Sequence, residues 1–306
     1  MAKARIIPKT PEPLSFDHDG WFTGTMPGFG SEIKNFQMVP VGEDRLITVT
    51  VDDAECFVYS REPSDVEVSG VNIVDPATVP NRIRLAPRGA PFQYSIKLHG
   101  LRSSRTHVIV CDAAGTTIDS VEVGVKDVRL FTYRLWALMD VARRTHRTKD
   151  QMIACMNNVA RLYKAQANVK LTQIGTVENL LINADLGDPI SSPNFLLARV
   201  AFIIKLNPES SANFDMVSTW DIPDAVGLTA PGINVSMVED YKPGNLLAET
   251  STYAHELCHA FGVLGHDRNT KMLMSGDGTD SFRMNVTDID AINSTDLSNP
   301  LPPPIL

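Results

Sequence analysis

Three of the seven histidines in this 306-residue chain fall in one short run, Ala254-His255-Glu256-Leu257-Cys258-His259-Ala260-Phe261-Gly262-Val263-Leu264-Gly265-His266-Asp267. On a helix of about 3.6 residues per turn, His255 and His259 lie one turn apart on one face, a spacing at which two imidazoles can take the same zinc ion. Glu256 follows the first of them, where its carboxylate can hold the metal's water and accept its proton. Gly262 stands where such a helix should stop, because glycine accepts the left-handed conformation that turns the chain back. That turn would bring His266 towards the open side of the metal. The pentapeptide H-E-x-x-H alone also describes a surface helix with two solvated histidines. The glycine, the third histidine and the later turn Lys271-Met272-Leu273-Met274-Ser275 favour the zinc reading.

These residues resemble the metzincin zinc endopeptidases, whose pattern is H-E-x-x-H-x-x-G-x-x-H followed by a methionine turn. Upstream, Gly227-Leu228-Thr229-Ala230 and Val235-Ser236-Met237-Val238-Glu239-Asp240 extend the likeness, and the Gly-His-Asp ending is similar to the reprolysin (adamalysin) branch. The resemblance implies one catalytic zinc held by His255, His259 and His266, with Glu256 as general base. It implies Met274 as the Met-turn methionine beneath the metal and Gly262 as the turn. Residues 226–230 become the antiparallel edge strand over the cleft, and an edge strand offers unpaired N–H and C=O groups that an extended peptide completes. Gly227, Leu228, Thr229 and Ala230 are therefore the candidate substrate-binding residues. The implied reaction is hydrolysis of peptide bonds in a protein or peptide substrate by a metal-activated water.

The chain departs from the family pattern at one place. Three residues, Val263, Leu264 and Gly265, separate the glycine from the third histidine, where the family has two. A bulge at the permissive Gly265 would absorb the extra residue. Otherwise Asp267 supplies the third ligand as a carboxylate, although imidazole is the more usual partner at such sites. A thermolysin-like arrangement needs a later glutamate ligand, and no glutamate follows Glu256. Two readings from other classes stand beside the endopeptidase. One is a catalytically silent binding protein of the same fold, and the other a cell-wall peptide amidase acting as a toxin effector.

The elements that must position these residues form an α+β chain. Hydrophobic content of 43% and charged content of 21% suit a globular protein, and a net charge of −8 argues against nucleic acid as a partner. No apolar run approaches the length of a transmembrane helix. The N-terminus has no apolar stretch of the secretory type, so export without a cleaved signal is expected, with a cytoplasmic location as the alternative. Cys56, Cys111, Cys155 and Cys258 lack paired spacing and read as buried free thiols.

Residues 1–32, rich in Pro, Gly and Asp and without clear periodicity, read as an extended arm and loops. Residues 33–126 read as a β-sandwich that resembles a bacterial immunoglobulin-like module, with strands at 45–51, 56–60, 65–69, 81–85, 92–98, 106–111 and 117–125. It would serve packing, or bind a delivery partner or surface. Residues 127–306 read as the metzincin-like domain, with a twisted mixed sheet, a long helix, the active-site helix and the Met turn. Its expected elements are a strand at 128–139, a helix opened by the capping box Thr148-Lys149-Asp150-Gln151, strands at 168–176 and 197–206, and a last helix capped by Thr287. The cluster Arg143-Arg144-Thr145-His146-Arg147 reads as a solvated turn.

Overall fold

The computed structural model describes residues 3–8, 21–23, 35–52, 54–71, 81–86, 91–206, 212–230, 232–240, 245–266, 273–275 and 282–295. They form a mixed α/β chain, mostly strands with four helices, consistent with the α+β expectation. Two compact units are present, the first ending at Val128 and the second beginning at Arg129, with Ala165–Asn168 grouped with the first.

Up to Val128 the described elements of the first unit are strands: β1 (Ala4–Pro8), β2 (Trp21–Thr23), β3 (Asn35–Pro40), β4 (Asp44–Val51), β5 (Cys56–Ser60), β6 (Val66–Val71), β7 (Ile83–Leu85), β8 (Phe92–Gly100), β9 (Ser104–Asp112) and β10 (Thr117–Lys126). Strict alternation drives this outcome, since successive side chains on a strand point to opposite faces. Tyr94, Ile96 and Leu98 of β8 are buried in turn, with half-buried residues between them. They join Ile47, Val49 and Val51 of β4 in one apolar core with Val108, Val110, Val121, Val123 and Val125 from the other sheet. The sheets run in the orders β1-β4-β8-β6 and β2-β3-β10-β9-β5-β7. The first 32 residues, expected as an extended arm and loops, include two strands: β1 pairs with β4 and puts Ile6 into the core, and β2 pairs with β3.

The second unit contains β11 (Arg129–Met139), α1 (Lys149–Ala167), β12 (Val169–Gln173), β13 (Glu178–Leu181), α2 (Pro193–Leu206), β14 (Phe214–Thr219), β15 (Gly227–Ala230), β16 (Val235–Glu239), α3 (Leu246–Ala260) and α4 (Val286–Ser294). The sheet order is β12-β11-β14-β16-β15, with β13 also on β11. Every pairing is parallel except that of β15 with β16, which leaves β15 as an antiparallel edge. At the start of α1, Thr148 N–H donates to Gln151 Oε1 (2.8 Å) and Gln151 N–H to Thr148 Oγ1 (3.2 Å), the reciprocal pair of a capping box. The buried face of α1 then recurs at Met152, Cys155, Met156, Val159, Leu162 and Tyr163.

Residues 197–206 are a helix and not a strand. The buried positions Leu196, Leu197, Val200, Ala201 and Ile204 follow helical spacing, and Pro193 occupies the first helical position, where its missing N–H costs nothing. The strand expected there is supplied by β14. The cap of α4 is Asn285, two residues before the expected Thr287. Its side chain accepts from Asp288 N–H while Asp288 accepts from Asn285 N–H.

The basic turn is not uniformly solvated either. Arg143 pairs with Asp185 at 2.6 Å and Asp140 at 3.4 Å, and the Arg147 side chain is only 1% exposed, between Asp240 (3.6 Å) and Glu249 (3.4 Å). Cys56, Cys111, Cys155 and Cys258 are free and buried. Among the described residues no helix is long and apolar enough to cross a membrane.

Candidate metal centre

Helix α3 carries the first two histidines, and its packing sets their direction. Tyr253, Ala254, Leu257 and Cys258 are fully buried on one side of the helix. Tyr163 of α1 donates its hydroxyl proton to the Ala254 carbonyl at 2.8 Å and lies 3.0 Å from Cys258 Sγ. With that side facing the interior, His255 and His259 are left only partly buried. Cys258 belongs to the core.

The helix ends as the glycine requires. Gly262 has φ +87°, Val263 N–H returns to the Cys258 carbonyl (3.1 Å) and Gly262 N–H to the His259 carbonyl (2.9 Å). This is the Schellman pattern, with Phe261 as cap. The Phe261 ring is buried among Phe131, Tyr163 and Phe214, with centroids 5.0, 5.6 and 6.4 Å away, and so anchors the turn. Gly265 has no left-handed φ, so the extra residue before His266 is accommodated without the conformation expected of it.

Past this turn the three imidazoles meet. His266 Nε2 lies 3.2 Å from His255 Nε2 and 3.2 Å from His259 Nε2, and all three ligand atoms fall within 4.8 Å of one another. The other nitrogen of each helical histidine is engaged: His255 Nδ1 donates to the Leu273 carbonyl (2.9 Å) and His259 Nδ1 to the Val263 carbonyl (2.6 Å). With the proton on Nδ1, both Nε2 atoms present lone pairs to the centre, and one N–H on His266 cannot serve both well. Zinc fits this donor set, because tetrahedral bonds of about 2.0–2.1 Å place nitrogens roughly 3.3 Å apart. Carbonyls on the far nitrogen are the usual orienting partners of such ligands. Burial pushes the His255 pKa down to about 4, with the neighbouring histidines adding to the effect, and burial lowers that of His259 as well. Both are held neutral at pH 7, as ligation needs.

Met274 is buried directly after Leu273, whose carbonyl orients His255. Asp267, the other candidate third ligand, and Lys271 and Met272 of the Met turn lie outside the described residues.

Glu256 is 4% exposed, and burial pushes its pKa up to about 7 against the opposing bond from Thr229. Thr229 Oγ1 donates to Glu256 Oε2 at 2.6 Å and is itself 2.8 Å from Ser236 Oγ on the paired strand. A Cβ placed on Gly227 would lie 2.5 Å from Glu256 Oε1, so only glycine lets the strand approach this closely. Gly227 and Thr229 therefore face Glu256, while Leu228 and Ala230 pack into the core beside α2. Of the proposed substrate-binding run, the side chains are thus turned to other partners, and among the described residues the outer edge of β15 has no strand beside it. The contact of Thr229 with Glu256 had no signal in the sequence beyond the edge-strand assignment.

No family model matches the chain, and no curated protein matches it. Among solved structures, it is similar to archaemetzincin from Methanopyrus kandleri with a TM-score of 0.37 and 15% identity, over 53% of this chain and 93% of that one. It is similar to domains 4 and 5 of the S-layer protein SbsC with a TM-score of 0.21 and 16% identity, over 29% of this chain and 45% of that one. A chaperone-substrate complex gives a TM-score of 0.36 and 13% identity, over 66% of this chain and 38% of that one. The chain therefore spans less than half of the S-layer structure it matches. These are weak likenesses.

Proposed function

We propose that this chain is a zinc-dependent endopeptidase. The observation that carries the reading is the convergence of His255, His259 and His266 through their Nε2 atoms at 3.2 Å, with the two Nδ1 atoms tied to backbone carbonyls. Zinc held there supplies a Lewis acid that polarises a substrate carbonyl and lowers the pKa of water.

The chain's own residues supply the rest. Glu256, with its pKa raised to about 7, is poised to take a proton from the attacking water as a carboxylate. It then returns that proton to the leaving amine. Thr229 and Gly227 hold the carboxylate against β15. The outer edge of β15 accepts the main chain of an extended peptide as an added strand, which selects peptide over other carbonyl substrates. Leu273 and Val263 keep His255 and His259 in the ligating tautomer. Met274, buried next to Leu273 in the chain, would be the methionine beneath the metal.

The test is metal content by mass spectrometry together with hydrolysis of an unstructured protein such as casein. The expected result is about one zinc per chain. Glu256→Ala should keep the zinc and abolish turnover, and His266→Ala should lose the zinc. Absence of zinc after supply at neutral pH, or full activity in Glu256→Ala, would overturn the proposal. Loss of zinc in Asp267→Ala with retention in His266→Ala would overturn the ligand set.

A further inference from the structure

The basic run 143–147 divides its charges between two uses. Arg143 and Arg147 are consumed by carboxylates, Arg143 by Asp140 and Asp185, Arg147 by Asp240 and Glu249. Arg144, His146 and Lys149 instead line a cavity of about 350 Å³ whose floor includes Ala137 and Met139 at the end of β11, with Asn179 of β13 at its wall. Among the described residues no carboxylate lines it. The acid behind it, Asp240, is already engaged by Thr145 Oγ1 (2.7 Å), the His146 amide and Arg147. Arg144 and Lys149 form no ion pair among the described residues, and the side chains of Arg144, His146 and Lys149 are all exposed to an incoming ligand. Behind Lys149 the helix α1 begins; the amides of Thr148, Gln151 and Met152 are bonded to Gln151 Oε1, Thr148 Oγ1 and the Thr148 carbonyl, which leaves those of Lys149 and Asp150 without an acceptor in the helix. In a chain of net charge −8, this is a local concentration of unpaired donors around a cleft large enough for a small organic molecule.

We propose that this cavity binds a small organic anion, with a phosphate or carboxylate group on Arg144, His146 and Lys149 and a carbon body on Ala137 and Met139. Guanidinium and ammonium groups form their strongest hydrogen bonds to such oxyanions. The site is separate from the metal centre. The turn that forms it touches α3 at Glu249, whereas His255 and His259 lie about 9 and 15 Å further along the helix axis.

Calorimetric titration of the full chain at physiological salt with phenyl phosphate, benzoate, inorganic phosphate and the neutral control benzyl alcohol tests this. Saturable binding of the two aromatic anions is expected, with inorganic phosphate weaker for want of an apolar body and benzyl alcohol silent. Tighter binding of phenyl phosphate than benzoate would assign a phosphoryl ligand, and the reverse a carboxylate. Arg144→Ala with Lys149→Ala should weaken binding by about tenfold or more, because each removes a charged donor. That variant should keep its zinc content and thermal midpoint, since both side chains are exposed. His255→Ala should bind the anions as well as the parent. Absence of saturable binding, equal binding in the double variant, loss of binding in His255→Ala, or equal binding of benzyl alcohol would each overturn the proposal.

Discussion

Thr229 Oγ1 donates a hydrogen bond of 2.6 Å to Glu256 Oε2, joining an edge strand to the helix that carries the metal ligands. A neutral hydroxyl bonded to a buried carboxylate offsets part of the desolvation that raises the acid's pKa. It also fixes which oxygen remains free. The strand on which a peptide would add is the strand that orients the proton acceptor.

Thr229→Val keeps the shape of the side chain and removes the donor. Turnover should fall about 10- to 100-fold, the equivalent of one hydrogen bond to a charged group of about 1.5–3 kcal/mol. Zinc content and KM should stay near those of the parent, and Thr229→Ser should restore most of the rate. Steady-state kinetics on metal-loaded protein decides it, and an unchanged kcat in the valine variant would remove Thr229 from the machinery.

Gly227→Ala tests the same contact from the other side. The added methyl would sit 2.5 Å from Glu256 Oε1, so the carboxylate or the strand must move. Turnover should drop by at least the factor seen for Thr229→Val, with His255, His259 and His266 still binding zinc. Retained activity would mean that β15 and Glu256 are further apart than described.

How much of this was legible beforehand depends on the range of the interactions. The capping box at Thr148 and Gln151 is local, four consecutive residues deciding it, and it reads directly from the chain. Gly262 is equally local, since its positive φ and the helix stop are one event. Residues 197–206 failed because Phe202 and Leu206 are exposed apolar residues on a helix. They fill in the polar positions that would have displayed helical period, and an unbroken apolar run does not separate strand from helix. Pro193 was the available signal. The Thr229–Glu256 bond spans 27 residues and depends on strand register, Thr229 opposite Ser236, so no local pattern encodes it. The burial of Arg147 was hidden for the same reason: its partners Asp240 and Glu249 lie about a hundred residues on.

The raised pKa of Glu256 makes a pH prediction for metal-free protein. The folded state holds this proton up to about pH 7, whereas an ordinary glutamate releases it near 4.5. Folding is therefore disfavoured by Glu256 as pH rises through this window, and fully so above it. Glu256→Gln cannot ionise, so it should match the parent near pH 4 and exceed it above pH 7 by up to about 3 kcal/mol, at 1.36 kcal/mol per pKa unit. Urea unfolding of chelator-treated protein at the two pH values measures the difference. A parent as stable as the variant at pH 8 would show that the carboxyl is not desolvated in the folded chain.

Arg147 offers a test of what holds the start of α3 in place. Its side chain is 1% exposed, with Asp240 at 3.6 Å, Glu249 at 3.4 Å and the Tyr253 ring at 5.1 Å. It also donates to the Val238 carbonyl at 3.3 Å and to that of Glu239, tying the end of β16 to the helix that follows. Arg147→Ala removes the guanidinium held between the buried carboxylates of Asp240 and Glu249, which should cost about 3–5 kcal/mol. For a unit of this size that lowers the thermal midpoint by about 10 °C or more. Replacing all three, Arg147→Met with Asp240→Asn and Glu249→Gln, removes the charges of both signs together and should recover much of the loss. Below the transition, zinc content should be unchanged in both variants, because His255 and His259 stand in the last turns of α3 and are oriented by Leu273 and Val263. Calorimetry with metal analysis reads both quantities. Loss of zinc from folded Arg147→Ala would mean that the ion cluster, and not the turn after Phe261, sets the direction of the histidines.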